Sequence, residues 1–109
     1  MENDISVEIF RLQAELCQSF ASPQRLMIIH QLKDGPKSVG ELSEILNLKQ
    51  SHTSQLLTVL RKAGVIIPER RGNAVFYSLA NPKVITACEY VRAIIAEDLK
   101  RRKEIGEAL

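Results

Sequence analysis

The feature of the sequence that most constrains its fold is a pair of short amphipathic segments, 38–46 and 50–63, joined by a tight turn. Apolar residues recur at helical spacing in both segments, so each is predicted to form a helix with one buried face. Ser38, with Glu41 three residues later, is a capping-box pattern that marks the start of the first helix. Gly64 marks the end of the second. Two short helices joined in this way are typical of a helix-turn-helix.

The elements on either side of this pair complete the predicted architecture. Two strand-like runs, 65–71 and 74–79, flank the turn dipeptide Gly72-Asn73 and predict a hairpin. Helical periodicity predicts three more helices, over residues 4–20, 23–33 and 82–104, with Asp4 and Ser22 as caps of the first two. The expected fold is therefore mostly α with a β-hairpin wing. It is a winged helix-turn-helix with five helices, in the order α-α-α-α-β-β-α.

Length and charge distribution narrow the possible functions. The 109 residues predict one domain over 1–109, with the helix-turn-helix at 38–63 and the wing at 65–79. The net charge of +2 is too small to indicate a nucleic-acid partner by itself. The window 49–73, however, holds Lys49, Arg61, Lys62, Arg70 and Arg71 against the single acid Glu69. A local basic patch on a near-neutral body is the electrostatic pattern expected of a DNA-binding protein, and a solvated charged surface is the alternative.

The helix predicted over 50–63 has an outer face without acids. Its inward residues are Thr53, Leu56, Leu57 and Leu60. Its outward residues are Ser51, Gln55, Thr58 and Lys62, flanked by Gln50, His52 and Ser54 near the N-terminus. No carboxylate, which would repel a phosphate backbone, occurs between Glu44 and Glu69. Because Gln pairs with adenine and Ser or Thr with base edges or phosphates, this face predicts contact with double-stranded DNA in the major groove. An ordinary exposed helix face is the alternative.

The hairpin tip extends the predicted contact surface. Arg70, Arg71 and Asn73 are placed to meet phosphates or a narrow minor groove. Lys37 and Ser38, at the start of the helix-turn-helix, are included among the predicted DNA contacts. A charged hairpin that merely blocks edge-to-edge pairing is the alternative reading of the wing.

Other classes of function find little support. Cys17 and Cys88 lie far apart and form no CxxC or Cys/His pattern, so a zinc module is not expected. No apolar run approaches the roughly 18 residues of a membrane span and the start does not read as a signal peptide, so we expect a cytoplasmic protein with reduced thiols and no membrane partner. Cys17 with His30 is the one conceivable catalytic dyad, and both belong to helices that look structural. We therefore expect neither an enzyme nor a cofactor.

Four stretches of the chain resemble the ArsR/SmtB family of bacterial and archaeal repressors. They are 20–26, 38–42, 50–57 with 60–64, and 71–79. Their order and spacing are more specific than any single motif, and with the flanking helices the resemblance spans nearly the whole chain. It implies a homodimer built from the first and last helices, a palindromic operator read by one recognition helix per half-site, and release of the DNA when a ligand or metal binds.

The chain departs from the known sensory sites of that family. The family's thiolate metal site falls on the stretch 41–45, where Ser43 and Ile45 replace its cysteines. The positions that match the family's zinc site in the last helix are Asn81, Lys83, Ile94 and Glu97, of which only Glu97 suits a metal. The positions that match the cysteines of its sulfide- and redox-sensing branch are His30 and Ala96. The resemblance therefore implies no classical metal site here.

The two cysteines remain as candidate effector residues. The helices that carry Cys17 and Cys88 pack together in the family dimer, so the thiols could form a disulfide, a persulfide bridge or an arsenite site. The alternative is that both are small apolar residues of the interface. His30 is expected to be structural and His52 to contact DNA. Two further alternatives remain open: a regulator with no thiol or metal effector, and a winged-helix module used for protein–protein interaction.

Overall fold

The computed structural model describes the backbone of residues 2–108 and the side chains of residues 6–107. The elements are α1 (Glu2–Ser19), α2 (Pro23–Gln31), β1 (Lys37–Ser38), α3 (Val39–Leu46), α4 (Gln50–Lys62), β2 (Ile66–Arg71), β3 (Ala74–Leu79) and α5 (Lys83–Ala108). The five helices and the β wing of the predicted winged helix-turn-helix are confirmed. The side chain of Asp4, the predicted cap of α1, lies outside the described residues.

Capping bonds fix the start of α2 and both ends of α3. Ser22 precedes α2, and its Oγ accepts a hydrogen bond from the backbone N–H of Arg25 at 3.1 Å. Ser38 and Glu41 form the predicted capping box: Ser38 Oγ accepts from the Glu41 N–H, and the Glu41 carboxylate accepts from the Ser38 N–H, both at 3.1 Å. Asn47 ends α3 with a φ of 55°, in the left-handed region that asparagine tolerates. Local chemistry therefore sets the turn between α3 and α4.

The wing is a three-stranded antiparallel sheet in the order β1-β3-β2, rather than the predicted two-stranded hairpin. β2 and β3 pair from Ile66 opposite Leu79 to Arg71 opposite Ala74. β1 pairs with the other edge of β3 through Lys37 and Ser38. The prediction missed β1 because a strand of two residues shows no alternation of its own and its partner lies far along the chain. Its pairing ties the start of α3 to the wing.

Several predicted boundaries also move. The helices run Glu2–Ser19, Pro23–Gln31 and Lys83–Ala108 where 4–20, 23–33 and 82–104 were expected, α4 ends at Lys62 rather than 63, and β2 begins at Ile66 rather than 65. The chain tightens into a 3₁₀ turn over Leu32–Asp34, which shortens α2. α5 continues past residue 104 because none of the residues that follow is a proline, the one residue that would stop the helix outright.

The hydrophobic core lies between α2, α3 and α4 and is closed by β2 and the first turns of α5. Its most deeply buried aliphatic side chains are Ile28, Ile29, Leu42, Leu57, Leu60 and Ile66. Ile85 reaches this core from α5, and Val84 packs against it. An ion pair of 3.9 Å between Lys33 and Glu89 joins the 3₁₀ turn to the same part of α5. The first turns of α5 are therefore anchored to the helix-turn-helix.

Much of α1 and α5 lies outside this core. Of the described side chains of α1, only that of Ser19 is buried. The exposed apolar residues are Val7, Ile9, Phe10, Leu12 and Leu16 on α1, and Tyr90, Val91, Ile94, Ile95, Leu99 and Ile105 on α5. Exposed apolar stripes of this extent are typical of interaction surfaces. No helix within residues 2–108 combines the length and apolar character needed to cross a membrane.

Candidate nucleic-acid interface

The two faces of α4 divide as the sequence predicts. Thr53, Leu56, Leu57 and Leu60 are buried. On the opposite side Gln50, Ser51, His52, Ser54, Gln55 and Lys62 are exposed, and Thr58 is half-buried. Burial of the inner face against the core holds the outer face toward solvent, where a second molecule can reach it.

The threonine hydroxyl groups of α4 differ in whether they remain available to bind another molecule. Thr53 is fully buried, and its Oγ1 donates to the Lys49 carbonyl oxygen at 3.1 Å. It therefore stabilises the first turn of α4 and is not available to DNA. Thr58 Oγ1 donates to the Ser54 carbonyl at 2.9 Å, which leaves its oxygen free to accept. Lys49, the exposed N-cap of α4, was counted in the basic window but not among the predicted contacts. Its position beside the outer face makes it a candidate that the helical pattern alone did not single out.

Gln50 lies at the junction of α4 and α3. A methyl group built on Gly40 would lie 3.6 Å from Nε2 of Gln50 and 3.8 Å from Oγ of Ser38. The first residues of the two helices are therefore neighbours, and Lys37 in β1 adjoins them. The structure brings Lys37, Ser38 and Gln50 together at one edge of the predicted contact surface.

Ser38 at this edge is already engaged in the capping box. Its Oγ accepts from the Glu41 N–H, and its own N–H donates to the exposed Glu41 carboxylate. The first task of Ser38 is therefore to start α3. The Glu41 carboxylate places a negative charge beside Ser38. The sequence argument from the absence of acids concerned α4 alone and did not include this charge.

The two wing arginines point to different sides of the sheet. Successive residues of a strand face opposite ways, so Arg70 and Arg71 diverge. The Arg71 guanidinium carbon lies 5.3 Å from the centroid of the Phe76 ring, and its Nη2 lies 3.4 Å from Oε2 of Glu69. Asn73, in the turn, is exposed. The wing tip therefore presents one arginine held by neighbours and another on the opposite face.

The two thiols line one open cavity of about 660 Å³ between α1, α2 and α5. Cys17 is exposed and Cys88 is buried. Burial raises the pKa of the Cys88 thiol; the Arg92 guanidinium lowers this pKa, and Cys17 raises it. His30 lines the same cavity and is exposed, because the outer side of α2 faces this cavity rather than the core. Its structural role stays a prediction.

This structure is a winged helix-turn-helix, and the second helix of the motif, α4, has an outer face without carboxylates. DNA-binding regulators of transcription have this architecture. Comparison with known families agrees, because residues 22–67 match the arsR family of bacterial regulatory proteins. The chain belongs to the arsR family.

Individual relatives extend the match over most of the chain. Rv0081 of Mycobacterium tuberculosis, an uncharacterised HTH-type transcriptional regulator, is 38% identical over 105 residues, which make up 95% of this chain and 92% of Rv0081. The crystal structure of Rv0081 gives a TM-score of 0.78 over 86% of this chain and 95% of that chain. The biofilm growth-associated repressor of Agrobacterium fabrum is 41% identical over 81 residues, 74% of this chain and 69% of the repressor.

A more distant structure supports the fold alone. The homodimeric winged helix-turn-helix DNA-binding domain of Mb0332 from Mycobacterium bovis gives a TM-score of 0.80 at 21% identity, over 90% of this chain and 91% of that domain. Rv0081 and the biofilm growth-associated repressor are the relatives that carry the names of transcription regulators.

Proposed function

We propose that the protein is a homodimeric repressor of transcription that binds a palindromic operator in double-stranded DNA in the cytoplasm. The observation that carries the proposal is the outer face of α4, which is exposed, rich in hydrogen-bonding side chains and free of carboxylates. α4 enters the major groove, and the tip between β2 and β3 lies on the backbone or in the minor groove.

The proposed contacts divide by chemistry. They are Lys37, Ser38, Gln50, Ser51, His52, Ser54, Gln55, Thr58, Lys62, Arg70, Arg71 and Asn73. Gln55 is the proposed reader of a base edge, because its amide can pair bidentately with adenine. Lys62 and Arg70 meet phosphates and contribute affinity that falls with salt. Gln50 and Lys37 lie at the edge of the surface and fix the register of the protein on the duplex.

The dimer is proposed to form through α1 and α5. Its support is the pair of exposed apolar stripes on those helices, which a single chain leaves in water. The homodimeric state of the Mb0332 domain is consistent with this arrangement. A two-fold dimer places one α4 on each half of a palindromic site.

Selection of bound duplexes from a random-sequence DNA pool tests the proposal. The expected result is an enriched palindrome whose half-sites are about one helical turn, roughly 34 Å, apart. Gln55→Ala is expected to weaken binding to the selected duplex about tenfold while changing binding to a scrambled duplex little. Arg101→Ala, which removes an exposed positive charge far along α5, serves as the charge control. A pool without enrichment would contradict the proposal.

The alternative function is a winged helix that binds a protein through the same face. Replacement of the basic side chains by neutral or acidic ones would favour it, yet Lys62, Arg70 and Arg71 are all present and exposed. It predicts that wild-type protein and the Arg71→Ala variant bind all duplexes equally weakly.

We further propose that the signal which releases the DNA passes through Cys17 and Cys88. The support is that the two thiols, far apart in sequence, line one cavity beside the proposed dimer helices. Operator affinity measured for reduced, oxidised, persulfide-treated and arsenite-treated protein tests this, with Cys17→Ser and Cys88→Ser as controls. Affinity that is constant across all treatments contradicts the thiol signal, and release that survives both substitutions assigns the signal to another ligand.

A further inference from the structure

The cavity between α1, α2 and α5 has the size and lining of a small-molecule site. Its volume of about 660 Å³ falls within the range of about 300–1,000 Å³ that is typical of ligand pockets. Phe20, Leu26 and Met27 supply apolar wall on one side, and Val91 and Ile95 supply it from α5. An apolar ligand that displaces water from such walls gains free energy in proportion to the area covered.

The charged side chain in the wall of this cavity is positive. Arg92 lines the cavity, and among the described residues none that lines it is a carboxylate. Arg92 makes no ion pair within the part of the chain that the structure describes. The remaining polar side chains are His30 and Gln31, which accept or donate hydrogen bonds. A guanidinium fork without a partner recognises a carboxylate by two parallel hydrogen bonds.

We propose that this cavity binds an amphipathic organic anion: an apolar chain or ring that carries a single carboxylate. The apolar body lies against Phe20, Leu26 and Met27, and the carboxylate pairs with Arg92. A neutral analogue keeps the first interaction and loses the second. A cationic analogue is repelled by Arg92.

The position of the cavity gives the bound anion a regulatory consequence, which rests on the proposed function. Val91 and Ile95 belong both to the cavity wall and to the exposed stripe of α5, so the ligand lies beside the proposed dimer interface. Ile85 and the pair Lys33–Glu89 anchor the same helix to the helix-turn-helix. A ligand in the cavity therefore changes the placement of the two α4 helices and lowers operator affinity.

Methionine labelling offers a direct readout of binding. The chain has two methionines, Met1 and Met27, and Met27 lines the cavity. In protein carrying ¹³C-labelled methionine methyl groups, sodium decanoate below its micelle concentration is expected to move the Met27 signal saturably. The Met27→Leu variant assigns the peak. The titration needs no DNA, so its failure is distinct from a failure of the proposed function.

Charge variants test the proposed ligand class. Arg92→Gln is expected to weaken decanoate binding by about threefold to tenfold and leave decanamide binding unchanged. Arg101→Gln, on the same helix outside the cavity, is the matched control and keeps wild-type affinity.

Two results overturn the inference, and a third overturns its regulatory consequence alone. The first is a Met27 signal that decanoate does not move, which is what a cavity filled by the partner copy produces. The second is equal affinity for decanoate, decanamide and decylamine. The third is operator affinity that decanoate leaves unchanged although Met27 shifts, which overturns the regulatory consequence alone.

Discussion

Arg71 lies across the ring of Phe76, with its guanidinium carbon 5.3 Å from the ring centroid. Phe76 stands opposite Glu69 in the β2–β3 register, and the Glu69 carboxylate is 3.4 Å from Arg71. A contact between a cation and a ring at an exposed site is worth about 0.5–1 kcal/mol. The wing therefore orients one of its arginines before any DNA is bound.

Replacing Phe76 by leucine is expected to weaken operator binding by about twofold to fivefold, because Arg71 then loses the ring that orients it. Leucine keeps an apolar side chain at this half-buried position. Fluorescence anisotropy at fixed salt measures the change. In an Arg71→Ala background the same replacement should have no further effect. Fully additive losses in the double variant would show that the two side chains act separately.

Ser43 is expected to limit stability. It is 6% exposed, and among the described residues its Oγ has no hydrogen-bond partner. A buried hydroxyl without a partner costs about 1–3 kcal/mol, so Ser43→Ala should raise the free energy of unfolding by about 1 kcal/mol in urea titrations. Ser51→Ala, at an exposed position, should change it by less than about 0.5 kcal/mol. A clear loss of stability in Ser43→Ala would mean that the hydroxyl has a partner.

Two glycines are expected to respond to alanine with opposite signs. Gly64 follows α4 with a φ of 78°, where a Cβ is strained although open space surrounds it, so Gly64→Ala should lower the free energy of unfolding by about 1 kcal/mol. Gly40 lies inside α3, and its added methyl would make only an ordinary contact, 3.6 Å from Gln50. Gly40→Ala should therefore raise the free energy of unfolding by about 0.5–1 kcal/mol. Urea titration of both variants checks this, and changes of the same sign would refute it.

Stability should depend on alkaline pH through Cys88. Burial raises the pKa of this thiol, so the folded protein holds the proton more tightly than the unfolded chain does. The corresponding stabilisation is complete below the ordinary thiol pKa of about 8.5. It is lost as the pH rises above that value toward the raised pKa. The free energy of unfolding should fall more steeply across this range in wild-type protein than in Cys88→Ala.

Thr86→Ala, an exposed change on the same helix, is the matched control for that comparison and should follow the wild-type slope. The slope is the quantity to compare, because Cys88→Ala also removes a buried side chain and shifts the whole curve. Parallel curves for wild type and Cys88→Ala would contradict a raised pKa for Cys88.

Local chemistry explains which parts of the fold were predictable from sequence. The capping box of Ser38 and Glu41 marks the start of α3. The spacing of Leu56, Leu57 and Leu60 fixes the buried face of α4. The helix-turn-helix could therefore be predicted from the sequence. β1 was missed because its strand identity comes from pairing with β3, not from its own two residues.

Long-range packing explains what the sequence could not supply about the candidate sites. The contact of Arg71 with Phe76 depends on strand register, and the shared cavity of Cys17 and Cys88 depends on how three helices meet. The exposure of His30 was not predictable either, because helical periodicity does not show which neighbours cover each side of a helix. The outward residues of α4, in contrast, were predictable, because amphipathic spacing alone sets their direction.

The ratio of affinities for the selected palindrome and for a scrambled duplex of the same composition, measured by anisotropy at physiological salt, tests the central claim most directly. Sequence-specific binding by α4 predicts a ratio of about a thousandfold or more for the wild-type protein. Gln55→Ala should reduce that ratio by about tenfold. Equal affinity for the two duplexes would contradict sequence-specific operator binding by this protein.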